Sequence, residues 1–452
     1  MSGPKVVRIV TREELLAICE GHLHRLDQAI ATWTVAGRRA GELSQDEIDA
    51  TRARRQALAA LMASDAFADL QKKVPDEIAF LKADLERRRQ IAIDKAEQAQ
   101  QRRRQGRDSA RTLLHALESR HADLATALRE QLERIASGEE VANSDALLAR
   151  GFALLPAEGA RDLSDAQRQL ASRLLGADQV QSVESWKAAQ ALAPSNAQLA
   201  RIDRQIAEAH VFLGKDETAA FKTRLGAIET EPLDARRNLL LDSLILDLSD
   251  AIARSRARRA ALDELAELTA ELGAHDSLEA KALLERAQHD VDDASDEAIA
   301  ARVADCKTAI TLEQQRQAAQ ARRDAILQGL SRLGYEVHEG MSTAWAKEGR
   351  VVVKKPALPG YGVEVGGQAQ ASRLQVRAVA LSAHHDTSRD TSRDKDVETL
   401  WCGEFGKLQA LLAAQGDHLL IERALGVGEA PLKVVADNER DATEVAQTRT
   451  RR

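Results

Sequence analysis

The chain has 452 residues, of which 44% are hydrophobic, 30% are charged and only 3% are aromatic, and its formal net charge is −7. This length permits two or three domains, and the composition is ordinary for a folded soluble protein. The negative charge argues against nonspecific nucleic-acid binding by the whole surface, although a local basic face is compatible with it.

The three cysteines, Cys19, Cys306 and Cys402, lie far apart and form no CxxC pair. They support neither a disulfide framework nor a zinc site, and a reducing compartment fits them best. The N-terminal sequence MSGPKVVRIVTREE has no apolar signal-peptide region, and two aspartates interrupt the most apolar stretch, residues 239–248. We therefore expect a cytoplasmic protein with no membrane span, no metal and no cofactor.

The first elements of the chain are predicted by local signals. Residues 5–10, KVVRIV, predict one short strand or an extended lead-in. Thr11 with Glu14, and Ser44 with Glu47, match the capping box, in which two side chains satisfy the free amides at a helix start. We therefore expect helices to begin just after Thr11 and just after Ser44.

Pro75 is followed by two acidic residues, and this pattern predicts a further helix start. From Pro75 to about Ser137 no other proline intervenes, so a continuous helix over this stretch would be long, with Gly106 as the candidate break or hinge. In the C-terminal part of this stretch, mostly apolar residues recur at alternating spacings of three and four. This spacing predicts a coiled-coil seam with an antiparallel partner helix. The residues of this seam are Leu114, Leu117, His121, Leu124, Leu128, Gln131 and Ile135.

The composition changes along the chain and predicts five regions. They are an N-terminal helical or coiled-coil region (1–138), a short-helix middle domain (139–235), a second long-helix region (236–333), a C-terminal α+β domain (334–436) and a disordered tail (437–452). The expected fold is mainly α, with elongated antiparallel helical hairpins followed by a small mixed-sheet domain.

The C-terminal domain is predicted from short β-branched runs bounded by glycine and proline. The expected strands are LGYEV, RVVVKKP, YGVEVGG, LQVRAVAL, HLLIERAL and PLKVV, with one helix, VETLWCGEFGKLQALLAAQG, before the last two. We expect these two final strands to form a hairpin.

Two aromatic residues of this domain are candidates for a partner contact. Trp345 and Tyr361 lie in loop or turn contexts, where they form either an exposed binding patch or part of the core. Trp401 and Phe405 are four residues apart on one helix face, and this spacing favours packing on the sheet.

Residues 86–111 hold nine Arg or Lys against four Asp or Glu. An arginine face of this kind can lie along phosphates, and the candidate nucleic-acid contacts are Arg102, Arg103, Arg104 and Arg107. The alternative, which the interleaved Gln and Glu favour, is a solvated coiled-coil surface.

Catalysis is the third hypothesis. Glu364, Glu422 and Lys433 are strand-borne candidates for a metal-dependent nuclease or hydrolase, whereas exposed strand charges are the simpler explanation. His384 and His385 are adjacent in a loop and predict a polar loop rather than a metal site.

These observations favour a non-catalytic structural or adaptor subunit of a larger assembly. We expect a protein partner or self-association, with long helices as spacer and the C-terminal module for docking. The alternative is a nucleic-acid-binding accessory factor that uses its arginine-rich helix beside a separate ATPase.

Overall fold

The computed structural model describes residues 3–39, 41, 43–119, 125–139, 141–154, 194–232, 235–291, 293–367, 372–382 and 391–436. Within these ranges 73% of the residues are helical, in twelve helices, and a small sheet lies mostly near the C-terminus. The expectation of a mainly α chain with a C-terminal α+β domain is therefore confirmed. Residues 155–193 of the predicted middle domain, the loop with His384 and His385, and the tail lie outside the described residues.

In chain order the elements are β1 (Lys5–Val10), α1 (Arg12–Arg39), α2 (Gln45–Ala63), α3 (Phe67–Ser119), α4 (Thr126–Ser137), α5 (Ser144–Ala153), α6 (Pro194–Phe212), α7 (Lys215–Glu229), α8 (Ala235–Leu272), α9 (Leu278–Gln288), α10 (Asp296–Arg332), α11 (Met341–Glu348), β2 (Arg350–Lys354), β3 (Tyr361–Gly366), β4 (Arg373–Ser382), α12 (Thr391–Ala413), β5 (His418–Ala424) and β6 (Lys433–Ala436).

The chain divides into two compact units. Unit 1 contains Met1–Thr34, Ser44–Leu81 and Ala261–Arg452, and unit 2 contains Val35–Leu43 and Lys82–Ala260. Each unit combines segments that are distant in sequence. In the described ranges, none of the helices combines the length and the hydropathy that crossing a bilayer would require.

The predicted helix starts at Thr11 and Ser44 are confirmed. The Ser44 hydroxyl accepts a hydrogen bond from the Glu47 amide and the Glu47 carboxylate accepts one from the Ser44 amide, so the capping box is complete. The Thr11 hydroxyl accepts from the Glu14 amide at 3.3 Å. The Glu14 carboxylate instead pairs with Arg322, because tertiary packing brings that buried guanidinium to it.

The predicted helix start at Pro75 is wrong, because Pro75 lies inside α3. Proline in a helix interior removes one backbone hydrogen bond and ordinarily costs about 3 kcal/mol. Leu70, Val74 and Ile78 are buried on the turns around it. Their packing offsets the local cost, so the helix continues through the proline.

The stretch from Pro75 to Ser137 does not form one continuous helix. α3 ends at Ser119 and α4 begins at Thr126. Arg111 donates to the Ala136 carbonyl at 3.1 Å and Arg129 donates to Glu118 at 2.9 Å, so the two segments run antiparallel. The apolar faces of α3 and α4 therefore pack against each other within one chain, instead of lining a single long helix. The buried residues of these faces include Leu113, Leu117, Leu128, Leu132 and Ile135.

The sheet of unit 1 has the strand order β2-β3-β4-β1-β5. These neighbours are antiparallel, and β6 pairs in parallel with the second half of β4. The strand predicted for residues 5–10 is confirmed, and it lies between two strands from the other end of the chain. The expected final hairpin is wrong, because β5 pairs with β1 and β6 with β4. The run LGYEV forms only an isolated bridge, from Glu336 to Lys354.

One face of this sheet, the inner face, packs against helices α10, α11 and α12. The inner-face positions alternate along each strand, as the pleat requires. The shared core includes Val7, Ile9, Val353, Val363, Val365, Leu374, Val376 and Leu419 from the strands, and Ile326, Leu330, Trp345, Trp401, Phe405 and Leu408 from the helices.

Candidate docking surface

The opposite face of the sheet, which we call the basic face, is rich in charged side chains. On β1 to β4 these residues alternate with the inner-face positions, so the pleat directs them away from the core. On β5 a register shift opposite Val6 and Val7 brings the adjacent residues Glu422 and Arg423 to the same face. The strand-borne cations of the basic face are Arg8, Arg350, Lys354, Arg373, Arg377, Arg423 and Lys433, and its strand-borne carboxylates are Glu364 and Glu422. The strands therefore place seven cations and two carboxylates on this face.

Glu364 is the buried centre of the basic face, with 4% of its surface exposed. Its carboxylate accepts hydrogen bonds from Arg377 at 2.9 Å and from Lys433 at 2.9 Å. Burial acts to raise the pKa of Glu364, but the hydrogen bonds from these two cations outweigh it and hold the pKa below its ordinary value. Glu364 is therefore an ionised structural anchor that joins β3, β4 and β6.

Like charges meet at the β1–β4 junction. Arg8 and Arg373 lie directly opposite each other in the antiparallel register. Such a pair is destabilising by a few tenths of a kcal/mol, to about 1 kcal/mol. Glu422 compensates Arg373, at 2.8 Å. Within the described part of the chain Arg8 has no such carboxylate, so its positive charge remains available at the surface.

Two further arginines resemble Arg8 in this respect. Arg350 at the start of β2 and Arg423 near the end of β5 are exposed, and neither has an ion-pair partner among the residues that the structure describes. The basic face thus combines a neutralised centre around Glu364 with uncompensated arginines on three different strands.

Aliphatic side chains lie between these charges. Val6, Val10 and Val352 are half-buried on the basic face. Leu420, which pairs with Arg8 across the β1–β5 ladder, is 61% exposed. The surface therefore offers apolar contact as well as positive charge, a combination that suits a protein partner.

The two aromatic candidates lie away from this face. Trp345 in α11 is 1% exposed and belongs to the inner core, which corresponds to the core alternative. Tyr361 at the start of β3 is half-buried, and its hydroxyl donates to Asp394 at 3.1 Å. Tyr361 lines a crevice with Lys355 and Trp401 whose cavity volume is about 10 Å³, room for about one water molecule.

The arginine-rich segment of α3 lies in unit 2, where helix contacts occupy part of it. Arg104 donates to Asp203 at 2.6 Å and to Glu229 at 2.8 Å, and Arg107 donates to Glu229 at 2.6 Å. Burial raises the pKa of Asp203 and the bonds from Arg104 oppose this. These two arginines hold α3 to α6 and α7. The other two candidates, Arg102 and Arg103, are exposed.

The residues suggested for metal-dependent catalysis are only partly brought together. Lys433 contacts Glu364, whereas Glu422 contacts Arg373. Among the described residues no three His, Cys, Asp or Glu side chains cluster so as to hold a metal ion. His384 and His385 lie outside the described residues.

Sequence reasoning missed Arg8, Arg350 and Arg423. The alternation in KVVRIV and RVVVK indicates which residues share a face of each strand. It does not indicate which strands are neighbours. Only the placement of β1 beside β4 brings Arg8 opposite Arg373.

Comparison with known proteins identifies no relative: no family model, no curated protein and no solved structure matches this chain significantly. The fold and the surface define a mainly α protein with a C-terminal α+β domain whose sheet presents a basic face.

Proposed function

We propose that this protein is a non-catalytic structural or adaptor subunit of a larger cytoplasmic assembly. In this proposal the long helices act as a spacer, in part as antiparallel coiled coils, and the C-terminal domain docks a partner protein through the basic face. The lengths of α3, α8 and α10, which are 53, 38 and 37 residues, support the spacer role. The free thiols of Cys19, Cys306 and Cys402 are compatible with the reducing cytoplasm.

One observation carries the docking role, namely that three arginines of the sheet, Arg8, Arg350 and Arg423, have no carboxylate partner among the described residues. Arg8 opposite Arg373 weakens the sheet, and Arg350 and Arg423 add charge that contributes little to folding. Surface charges of one sign attract a partner of the opposite sign and accelerate its association. A partner with an acidic surface would compensate these arginines.

The test compares three forms of the tagged full-length chain in a pull-down from lysate of its native host. They are the wild type, a face variant (Arg8→Glu, Arg350→Glu, Arg423→Glu) and a matched control (Arg150→Glu, Arg201→Glu, Arg286→Glu). The control arginines are exposed on α5, α6 and α9, so both variants change the net charge equally. Each sample is divided, treated with nuclease or left untreated, and analysed by mass spectrometry.

We expect one defined protein partner that persists after nuclease, is retained by the control and is lost from the face variant. Retention by the face variant would contradict the proposal. Loss of all partners with nuclease, together with loss in an Arg102→Glu, Arg103→Glu variant, would favour the nucleic-acid alternative.

A further inference from the structure

Strand β5 is the last strand of the sheet on its side, so one of its edges has no neighbouring strand in the described structure. An open edge presents backbone N–H and C=O groups that a strand from another chain can pair with. β5 has seven residues and most of its side chains are exposed. It is therefore long enough to pair with an extended segment.

The hydrogen bonds of β5 indicate which of its backbone groups face the open edge. The Leu419 carbonyl accepts from the Gln409 side-chain amide at 2.8 Å, so it is directed away from β1 and is already occupied by α12. In an antiparallel strand, alternate residues direct their backbone groups to the same side. The N–H and C=O of Ile421 consequently also face the open edge.

Two apolar side chains flank this position on opposite faces of the sheet. Leu420 on the basic face is 61% exposed, and Ile421 is 45% exposed beside the inner face. A strand added along β5 would cover both of them. Neighbouring strands lie about 4.8 Å apart, so each added side chain would lie beside one of these residues.

The charges next to β5 determine what the added strand must carry. Arg8 lies beside Leu420, Arg423 lies on β5 itself, and the Glu422 carboxylate of β5 is paired with Arg373. Acidic side chains on the basic-face side of an added strand would pair with them. A second copy of this chain is disfavoured, because edge-to-edge pairing of β5 would place two basic faces side by side.

We infer that β5 accepts, by strand addition, an extended segment of a partner protein that alternates acidic and aliphatic residues. The acidic residues lie over Arg8 and Arg423, and the aliphatic residues lie beside Ile421. This inference rests on the proposed docking function, because it specifies the chemistry of the partner for the basic face.

Binding is measured by fluorescence anisotropy with the full-length chain and labelled synthetic peptides. The probe alternates valine and glutamate, and its control has the same composition with all glutamates in one block. We expect the alternating peptide to bind about tenfold more tightly than the block peptide. Equal binding of both peptides would show attraction by charge alone and would overturn strand addition.

Two variants locate the site. Leu420→Glu adds a negative charge beside the glutamates of the added strand and should weaken the alternating peptide about tenfold, whereas Leu278→Glu, the same change at an exposed leucine of α9, should not. Ile421→Pro removes the free N–H and should also abolish binding, with folding verified by circular dichroism. Unchanged binding by Leu420→Glu would overturn the inference.

The remaining outcomes separate the inference from the proposed function. Self-association of the wild type that Ile421→Pro abolishes would assign the edge to a second copy and overturn the inference. A single-stranded oligonucleotide that displaces the probe from β5 would also overturn it. If the alternating peptide fails to bind while the face variant still loses its partner, the docking function stands and strand addition fails. If the partner survives in the face variant, the docking function fails.

Discussion

The two faces of the C-terminal sheet are made by the same strands, yet they have different chemistry. The inner face is a continuous apolar layer against α10, α11 and α12. The basic face bears seven strand-borne cations, two carboxylates and scattered aliphatic residues. Since adjacent residues point to opposite faces, one strand can stabilise the fold with alternate residues and leave the others for binding.

Each face has one exception. Lys5 lies on the inner face at 2% exposure, with its Nζ 5.1 Å from the Phe405 ring centroid and without a hydrogen-bond partner among the described residues. Glu364 lies on the basic face yet is buried. The comparison therefore predicts that mutations at neighbouring positions will change the free energy of unfolding by very different amounts.

The largest effect is expected at Leu419, which is buried on the inner face. Leu419→Ala removes core contacts and leaves a cavity, so the free energy of unfolding should fall by about 2–5 kcal/mol. Denaturant unfolding of the full chain, followed by tryptophan fluorescence, measures this because Trp401 and Trp345 belong to the same core. A loss below about 0.5 kcal/mol, typical of surface positions, would contradict the assignment of the inner face.

Glu364→Gln should lower the free energy of unfolding by a smaller amount, about 1–3 kcal/mol at neutral pH. The substitution weakens two charge-assisted hydrogen bonds. The pKa of Glu364 is lower in the folded chain than its ordinary value of 4.5. Its stabilisation is thus complete above that pH and is lost as the pH falls through the folded-state value. The free energy of unfolding is measured for wild type and variant from pH 7 to pH 3. The difference between the two values should shrink below about pH 4.5.

Glu422→Gln is the matched control, since Glu422 pairs with one exposed arginine. Glu422→Gln should lower the free energy of unfolding by less than about 1 kcal/mol. Equal costs for the two substitutions would mean that burial does not distinguish the two carboxylates.

Lys5→Met should stabilise the chain by about 1 kcal/mol, because it replaces a buried amine without a hydrogen-bond partner by an apolar side chain. Burial lowers the pKa of Lys5. The unfolded chain therefore binds the proton more tightly, and wild-type stability rises as the pH increases from the folded-state pKa towards 10.5.

The advantage of Lys5→Met over wild type should accordingly decrease over this alkaline window. Thermal unfolding scans across the window measure it, with Lys407→Met, at an exposed position of α12, as the control that changes little. A destabilised Lys5→Met chain would show that the amine contributes to folding.

The smallest effect is expected at Leu420, the neighbour of Leu419 on the basic face. Leu420→Ala should change the free energy of unfolding by less than about 0.5 kcal/mol, because the side chain is mostly exposed. The same denaturant unfolding measures it. A loss similar to that of Leu419→Ala would mean that Leu420 is covered in the folded chain.

Much of the fold was predictable because its signals are local. β2, β3, β4, β5 and β6 coincide with predicted alternating runs, and α2 begins at its capping box. Pro75 misled the prediction, because a proline signals a helix start only when no neighbouring residue packs well enough to continue the helix. The end of α3 was missed because the same heptad spacing describes one long helix or two antiparallel ones.

The candidate surface was much less predictable than the strands that compose it. Arg104 and Arg107 were expected among exposed contacts, whereas Asp203 and Glu229 from distant helices pair with them. Arg8 gained its significance from a strand more than three hundred residues away. No spacing within the sequence indicates such pairings.

The sequence by itself determined the types of element and which residues share a face, because backbone propensity and the periods of helix and strand act over a few residues. Only the tertiary structure decided that β1 enters the sheet between β4 and β5, that β6 runs parallel to β4, and that one edge of β5 has no neighbour among the described strands. Strand pairing depends on hydrogen bonds and apolar burial between distant segments, so the basic face exists only once the whole sheet has assembled.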